Sequence, residues 1–194
     1  MRTLALALLL CLPPVAASAG GSDDPAAVDH SAELERLTHE LDRLATKGAW
    51  KGVERTYAKL VALGVELPAS AHRLGGDAAR SRGDATVAQR RYLKAERLEP
   101  SSTNEALDQY RSSYGVLEVR RVEATCIQLT PAERPFDPTH AAAIDHASEA
   151  LSDSGAFRGL VPAGTYHVGR YPVTVEPGMK PVVVQRQAGD GDCP

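Results

Sequence analysis

The residues best equipped for chemistry are Asp137, His140, Asp145 and His146, two carboxylates and two imidazoles in one short stretch. Those are zinc-ligand types. Their spacing works against a site. On a helix, residues six apart sit about 120° apart around the axis, so His140 and His146 leave on different faces. His140 shares a face with Ile144 instead. The expectation is two histidines on the outside of a short helix, with no metal and no cofactor. A metal-dependent hydrolase using His140 and His146 is the reading this spacing disfavours. His167 alternates with Tyr166 and is expected to face solvent, whereas His72 is expected to be a hydrogen-bonded core histidine. Asp23 and Asp24 are paired carboxylates, but nothing near them fixes the separation that acid–base catalysis needs. The chain has no G-x-S-x-G elbow, no P-loop and no glycine-rich turn after a strand. The sequence predicts no enzyme.

The cysteines point to compartment rather than catalysis. Met1-Arg2, an apolar run from Leu4 to Leu12 and a small-residue stretch ending Ala17-Ser18-Ala19 describe a secretory signal over residues 1–19. Cys11 falls inside it. Leu10 stands where a lipoprotein signal wants a small residue, which argues against a lipid anchor. Cys126 and Cys193 remain, an even number in an exported chain, and are expected to form a disulfide. The bridge would close a loop of roughly 70 residues and stabilise the fold by roughly 4 kcal/mol in the chain-entropy model. A redox-active pair would need a close C-x-x-C, which is absent.

Composition excludes further classes. The 194 residues carry a net charge of −3, so no basic excess exists to neutralise a phosphate backbone, and no nucleic-acid role is expected. Aromatic residues are 5 % of the chain with one Trp, which leaves little for an extended stacking surface. No later stretch is long and apolar enough for a transmembrane segment.

Residues 20–32 are rich in Gly, Ser, Asp and Ala and read as a flexible N-terminus. From residue 33 to 114 the pattern is helical. Leu34, Leu37, Leu41 and Leu44 share one face, and Lys47-Gly48 ends that helix. A second helix carries Trp50, Val53, Tyr57, Leu60 and Val61 and ends at Gly64 and Pro68. The order then repeats, with helices predicted over 69–82 and 85–98 around Gly83-Asp84, closed by Pro100. Gly48 and Gly83, Tyr57 and Tyr92, and Leu60 and Ala95 each lie about 35 residues apart, a period that signals stacked helical hairpins. Ser102-Thr103-Asn104-Glu105 has the form of a capping box opening a further helix with Leu107, Tyr110 and Tyr114 on its apolar side.

Gly76, Gly83-Asp84, Ala88, Tyr92, Ala95 and Pro100 resemble a tetratricopeptide repeat over residues 69–102, and residues 34–68 resemble a poorer copy with Val53, Leu60 and Val65 in place of Ala, Ala and Pro. The better copy departs from the pattern in its first helix, where His72, Gly75 and Ala79 replace the usual Trp, Leu and Tyr. The resemblance implies that the first helix of each hairpin lines a concave groove for a peptide or protein. By repeat position the lining would be Thr38, Asp42 and Ala45, then Arg73, Asp77 and Arg80. Arg73 and Arg80 are two helical turns apart and share a face, so they would clamp carboxylates of an acidic segment. The plainer alternative is two arginines solvating an exposed helix, with Asp77 partly neutralising them.

Residues 115–194 are β-rich. Strands are predicted at 116–119, 126–129, 165–168, 172–176 and 181–186, with a helix opened by Asp137-Pro138 and stopped near Gly155. Pro172 and Pro181 suit edge strands or strand starts. The run Leu160 to Val168, Leu-Val-Pro-Ala-Gly-Thr-Tyr-His-Val, is similar to the turn and strand of PEGA-type small β-sandwich modules, with Ala163 as one extra residue.

The expected fold is therefore α+β: tetratricopeptide-like hairpins over 33–114 and a small sandwich-like domain with one inserted helix over 115–194. The expected function is an exported, non-enzymatic adaptor of a bacterial envelope or periplasm that holds a protein or peptide in its groove. The alternative makes the β half the working part, binding glycan or cell wall through Tyr166, Tyr171 or Phe157.

Overall fold

The computed structural model describes residues 30–120 and 128–185. The expected leader, Cys126 and Cys193, and the strand expected from 126 up to residue 127 all lie outside them. Five helices come first, α1 (Ser31–Thr46), α2 (Trp50–Ala62), α3 (Ala69–Ser81), α4 (Ala85–Leu98) and α5 (Asn104–Ser113). They are followed by β1 (Tyr114–Arg120), β2 (Leu129–Pro131), α6 (Pro138–Ser154), β3 (Phe157–Pro162), β4 (Gly164–Val168), β5 (Tyr171–Val175) and β6 (Gly178–Gln185). The fold is α+β, with one helix inserted among the strands.

The helices pack in chain order: α1 on α2, α2 on α3, α3 on α4. Leu37 and Leu41 of α1 are buried against Val53, Tyr57 and Leu60 of α2. Each fully buried leucine contributes roughly 1.5–3 kcal/mol. Helix α3 carries Gly75 and Gly76 at its middle, and the reason is close approach. A Cβ on Gly75 would stand 2.7 Å from the Tyr57 ring, and one on Gly76 would stand 2.5 Å from the Tyr92 ring. Two tyrosines thus lie flat against one helix, from α2 on one side and α4 on the other.

A half-buried polar network ties the helices together at this point. Arg91 on α4 donates two hydrogen bonds to the Glu54 carboxylate on α2, at 2.6 and 2.8 Å, and a third to the Gly75 carbonyl at 2.7 Å. Its guanidinium also covers the Tyr57 ring, 4.3 Å from the centroid. The forked bond to Arg91 holds the Glu54 carboxyl below its ordinary range, so it stays ionised. Tyr57 Oη lies 2.8 Å from Nδ1 of His72, which is fully buried as a core histidine should be.

The start of α5 departs from the sequence reading. The helix begins one residue later, Ser102 Oγ is buried without a partner, and Thr103 makes no side-chain cap bond. Glu96 of α4 takes over instead. Its carboxylate accepts from the Ser101 N–H at 2.8 Å and from the Thr103 hydroxyl at 3.1 Å. A carboxylate from the preceding helix outcompetes the local box because it satisfies two loop donors at once.

The strands form two three-stranded sheets, β3-β1-β6 and β2-β4-β5. β1 runs antiparallel to β3 and parallel to β6, while β4 is antiparallel to both neighbours. Pro172 and Pro181 fall on the outer strands β5 and β6, where a missing N–H costs no ladder bond. Leu117, Val119, Val161, Tyr166, Val168 and Val175 meet Ile144, Ala147 and Leu151 of α6 in one core. β3 is the strand the sequence reading did not assign; Gly159 and Pro162 mask its alternation.

A second core joins the two halves. Tyr92 and Ala88 of α4, Leu107 and Tyr110 of α5, Tyr114 of β1, Ala143 of α6 and Leu160 of β3 are buried together. Gly83, in the α3–α4 turn, has φ +80°, and a Cβ there would lie 2.0 Å from the Ala142 carbonyl oxygen of α6. The helical and strand parts are thus docked through backbone contact as well as through side chains.

Candidate functional site

α1 has two working faces. Leu37 and Leu41 point into the core, while Ser31, Leu34, Glu35, Thr38 and Asp42 recur at three- and four-residue steps on another side. That second side forms one wall of an open cleft of about 950 Å³. The loop before α3, from Glu66 to Ala69, forms another wall, and Leu98-Glu99 at the end of α4 closes it. Leu67 is buried beneath the cleft, and Leu98 is 42 % exposed at its edge.

The expected groove residues divide here. Thr38 and Asp42 line the cleft. Ala45 packs against the α1–α2 core. Arg73 is exposed one turn beyond Ala69 and does not line the cleft. Asp77 accepts a hydrogen bond from Tyr92 Oη at 2.7 Å, so its carboxylate is engaged within the fold. Arg80 is half-buried, and its charge acts on Tyr92, Tyr110 and Tyr114. The structure therefore sets Arg73 and Arg80 in different surroundings, one in solvent and one beside buried phenols.

Those phenols form a row that sequence reasoning did not assemble. Ring centroids are 6.0 Å apart for Tyr92–Tyr110, 4.8 Å for Tyr110–Tyr114 and 5.1 Å for Tyr114–His140, the last edge-on. Burial raises the pKa of all three tyrosines, Tyr114 to about 12, and the positive charge of Arg80 opposes the rise. They stay protonated and act as packing groups. Their periodic positions signalled helix faces, but their convergence depends on β1 and α6 folding back onto α4 and α5.

The two histidines of α6 turn to different neighbours. His140 Nε2 is 3.8 Å from Asp137 Oδ2, and His146 Nε2 is 4.0 Å from Asp84 Oδ2 on the α3–α4 turn. Both distances exceed hydrogen-bond length. Asp137 serves the helix itself, accepting from the Thr139 N–H at 2.7 Å. Among the described residues, no three His, Cys, Asp or Glu side chains converge on a metal-sized space, and no helix is long and apolar enough to cross a membrane.

A second cavity, of about 450 Å³, lies in the β half between the 131–136 loop, His140 and Ile144 of α6, and residues 162–166. Tyr166 is buried on its wall and donates to the Pro162 carbonyl at 2.5 Å, so it offers no stacking face. Phe157 is half-buried and Tyr171 is 42 % exposed. Phe136, which the sequence reading passed over, stands fully exposed at the rim.

No protein-family model, curated protein or solved structure matches the chain.

Proposed function

We propose that this chain is an exported, non-enzymatic adaptor that holds a segment of a partner protein in the cleft between α1, the α2–α3 loop and the end of α4. The observation that carries the reading is the cleft itself, about 950 Å³ with exposed Leu98 and half-buried Leu34 on its surface. Export is supported by the leader-like start, and a groove-binding role by the resemblance of residues 34–102 to tetratricopeptide repeats. The Cys126–Cys193 bridge belongs to the same reading, since an exported chain can keep it.

The test is affinity capture from an envelope extract, with the wild-type chain set against a Thr38→Arg, Leu98→Asp double variant. Both side chains face the cleft, and neither is fully buried, so the fold should survive. A protein retained by wild type should fall at least about tenfold with the variant, the loss expected when a central anchor is removed. Equal recovery of every protein by both would overturn the reading.

A second reading keeps the β half as a cell-wall or glycan binder, and one observation favours it: Phe136 lies wholly in solvent beside a cavity. A sugar ring can stack on such a side chain. On this reading, wild type cosediments with isolated cell wall and Phe136→Ser does not; equal sedimentation of the two would exclude it.

A further inference from the structure

The cleft's lining is charged in one direction. Glu35 and Asp42 project from α1, Glu66 from the α2–α3 loop and Glu99 from the end of α4, around Leu34 and Leu98. His39 is the one basic side chain among the residues that line it. Elsewhere on α1 the carboxylates are matched. Glu33 is bonded to Arg36 at 2.7 Å and Glu40 to Arg43 at 2.7 Å, outside the cleft lining. The groove-side pair Glu35 and Asp42 has no ion-pair partner among the described residues, and neither do Glu66 and Glu99.

The helix ends do not decide the sign: α1 and α3 bring their N-termini to the cleft at Ser31 and Ala69, and α4 brings its C-terminus, whose last turn carries Arg97. The side chains decide it, and four carboxylates around Leu34, Leu67 and Leu98 set a negative potential in the cleft.

Resting on the groove reading above, we infer that the occupant is a basic, partly apolar segment of a partner protein: Lys or Arg side chains meeting the carboxylates, with an aliphatic side chain between them against Leu34 and Leu98. The geometry sets a spacing. Glu35 and Asp42 are seven residues apart, about 10 Å along the helix axis. A segment in the polyproline II conformation rises about 3.1 Å per residue and returns to the same side every three residues, so side chains about three positions apart span that distance on one face. The matching motif is therefore a pair of basic residues about three positions apart. An acidic segment is repelled.

Fluorescence anisotropy on the chain lacking only residues 1–19 tests this with three labelled ten-residue probes. One repeats Lys-Leu-Ala, one carries Gln in place of every Lys, and one carries Glu. Each is titrated into wild type, Glu66→Lys/Glu99→Lys, Leu98→Asp, and the control Asp153→Lys/Glu176→Lys, whose two carboxylates are exposed and line neither cavity. The Lys probe should bind wild type and the control alike, weaken about tenfold with Glu66→Lys/Glu99→Lys, and weaken further as salt is raised. Equal binding of the Lys and Gln probes, both lost with Leu98→Asp, would overturn the charge inference and leave the groove reading standing. Preference for the Glu probe, indifference of the Lys probe to Glu66→Lys/Glu99→Lys, or no binding of the Lys probe would also overturn it. The groove reading would then rest on the capture experiment alone.

Discussion

Gly83→Ala will cost the fold about 3 kcal/mol, while Gly48→Ala, at the equivalent turn of the first hairpin, will cost about 1 kcal/mol. Both glycines have positive φ, +64° and +80°, so an alanine at either meets the same left-handed penalty. Their surroundings differ. A Cβ at Gly48 finds nothing within 4 Å, whereas one at Gly83 would lie 2.0 Å from the Ala142 carbonyl oxygen and 3.0 Å from the Ala143 nitrogen. Backbone of a packed helix cannot rotate away as a side chain can. The variant must lift α6 from the α3–α4 turn, loosening the core where Ala143 meets Tyr92 and Tyr114. Urea titrations of both variants check this. Equal losses would show that α6 is not seated on the helical half.

Acid will lower the stability of the fold in two stages, and His72 governs the first. Burial pushes its pKa down from 6.5 to about 4, with the positive charges of Lys94 and Arg91 adding to the shift. The unfolded chain therefore takes up the imidazole proton first. Between about 6.5 and about 4 the unfolded state binds more protons, so stability falls as pH falls through that window. The loss reaches about 3 kcal/mol at its lower end. Glu54 acts on the second stage: its pKa is lowered, so the stability its ion pair with Arg91 supplies is present above the ordinary carboxylate value of 4.5 and lost on further acidification. His72→Gln keeps a partner for Tyr57 Oη and removes the titrating group. Its urea midpoint should vary less than that of wild type between 6.5 and 4, and equal slopes would refute the assignment.

The local parts of this fold were legible and the long-range parts were not. Leu34, Leu37, Leu41 and Leu44 announce α1 because helix periodicity is written in consecutive residues, and Asp137-Pro138 announces α6 because the cap is local. Thr38 and Asp42, expected from repeat position, line the cleft together because they share one face of α1. Arg73 and Arg80 share a face by the same rule, yet α5, β1 and α6 bring buried tyrosines to Arg80 and nothing comparable to Arg73. No local pattern carries that information. Glu66 and Glu99 sit beyond the helix ends, and only the packing of the helices brings them into one cleft with Asp42. Glu96 replaces the expected cap of α5 for the same reason: its donors lie across a turn.

The central claim is that a protein segment occupies the cleft beside Thr38. A photo-crosslinking residue placed at Thr38 in the full chain, with parallel placements at Phe136 and at Arg55 on an exposed part of α2, tests it in the intact envelope. The account predicts one discrete protein adduct from Thr38, none from Arg55, and crosslinked residues on the partner that lie within a basic segment. An adduct from Phe136 alone, or identical adducts from all three positions, would contradict it.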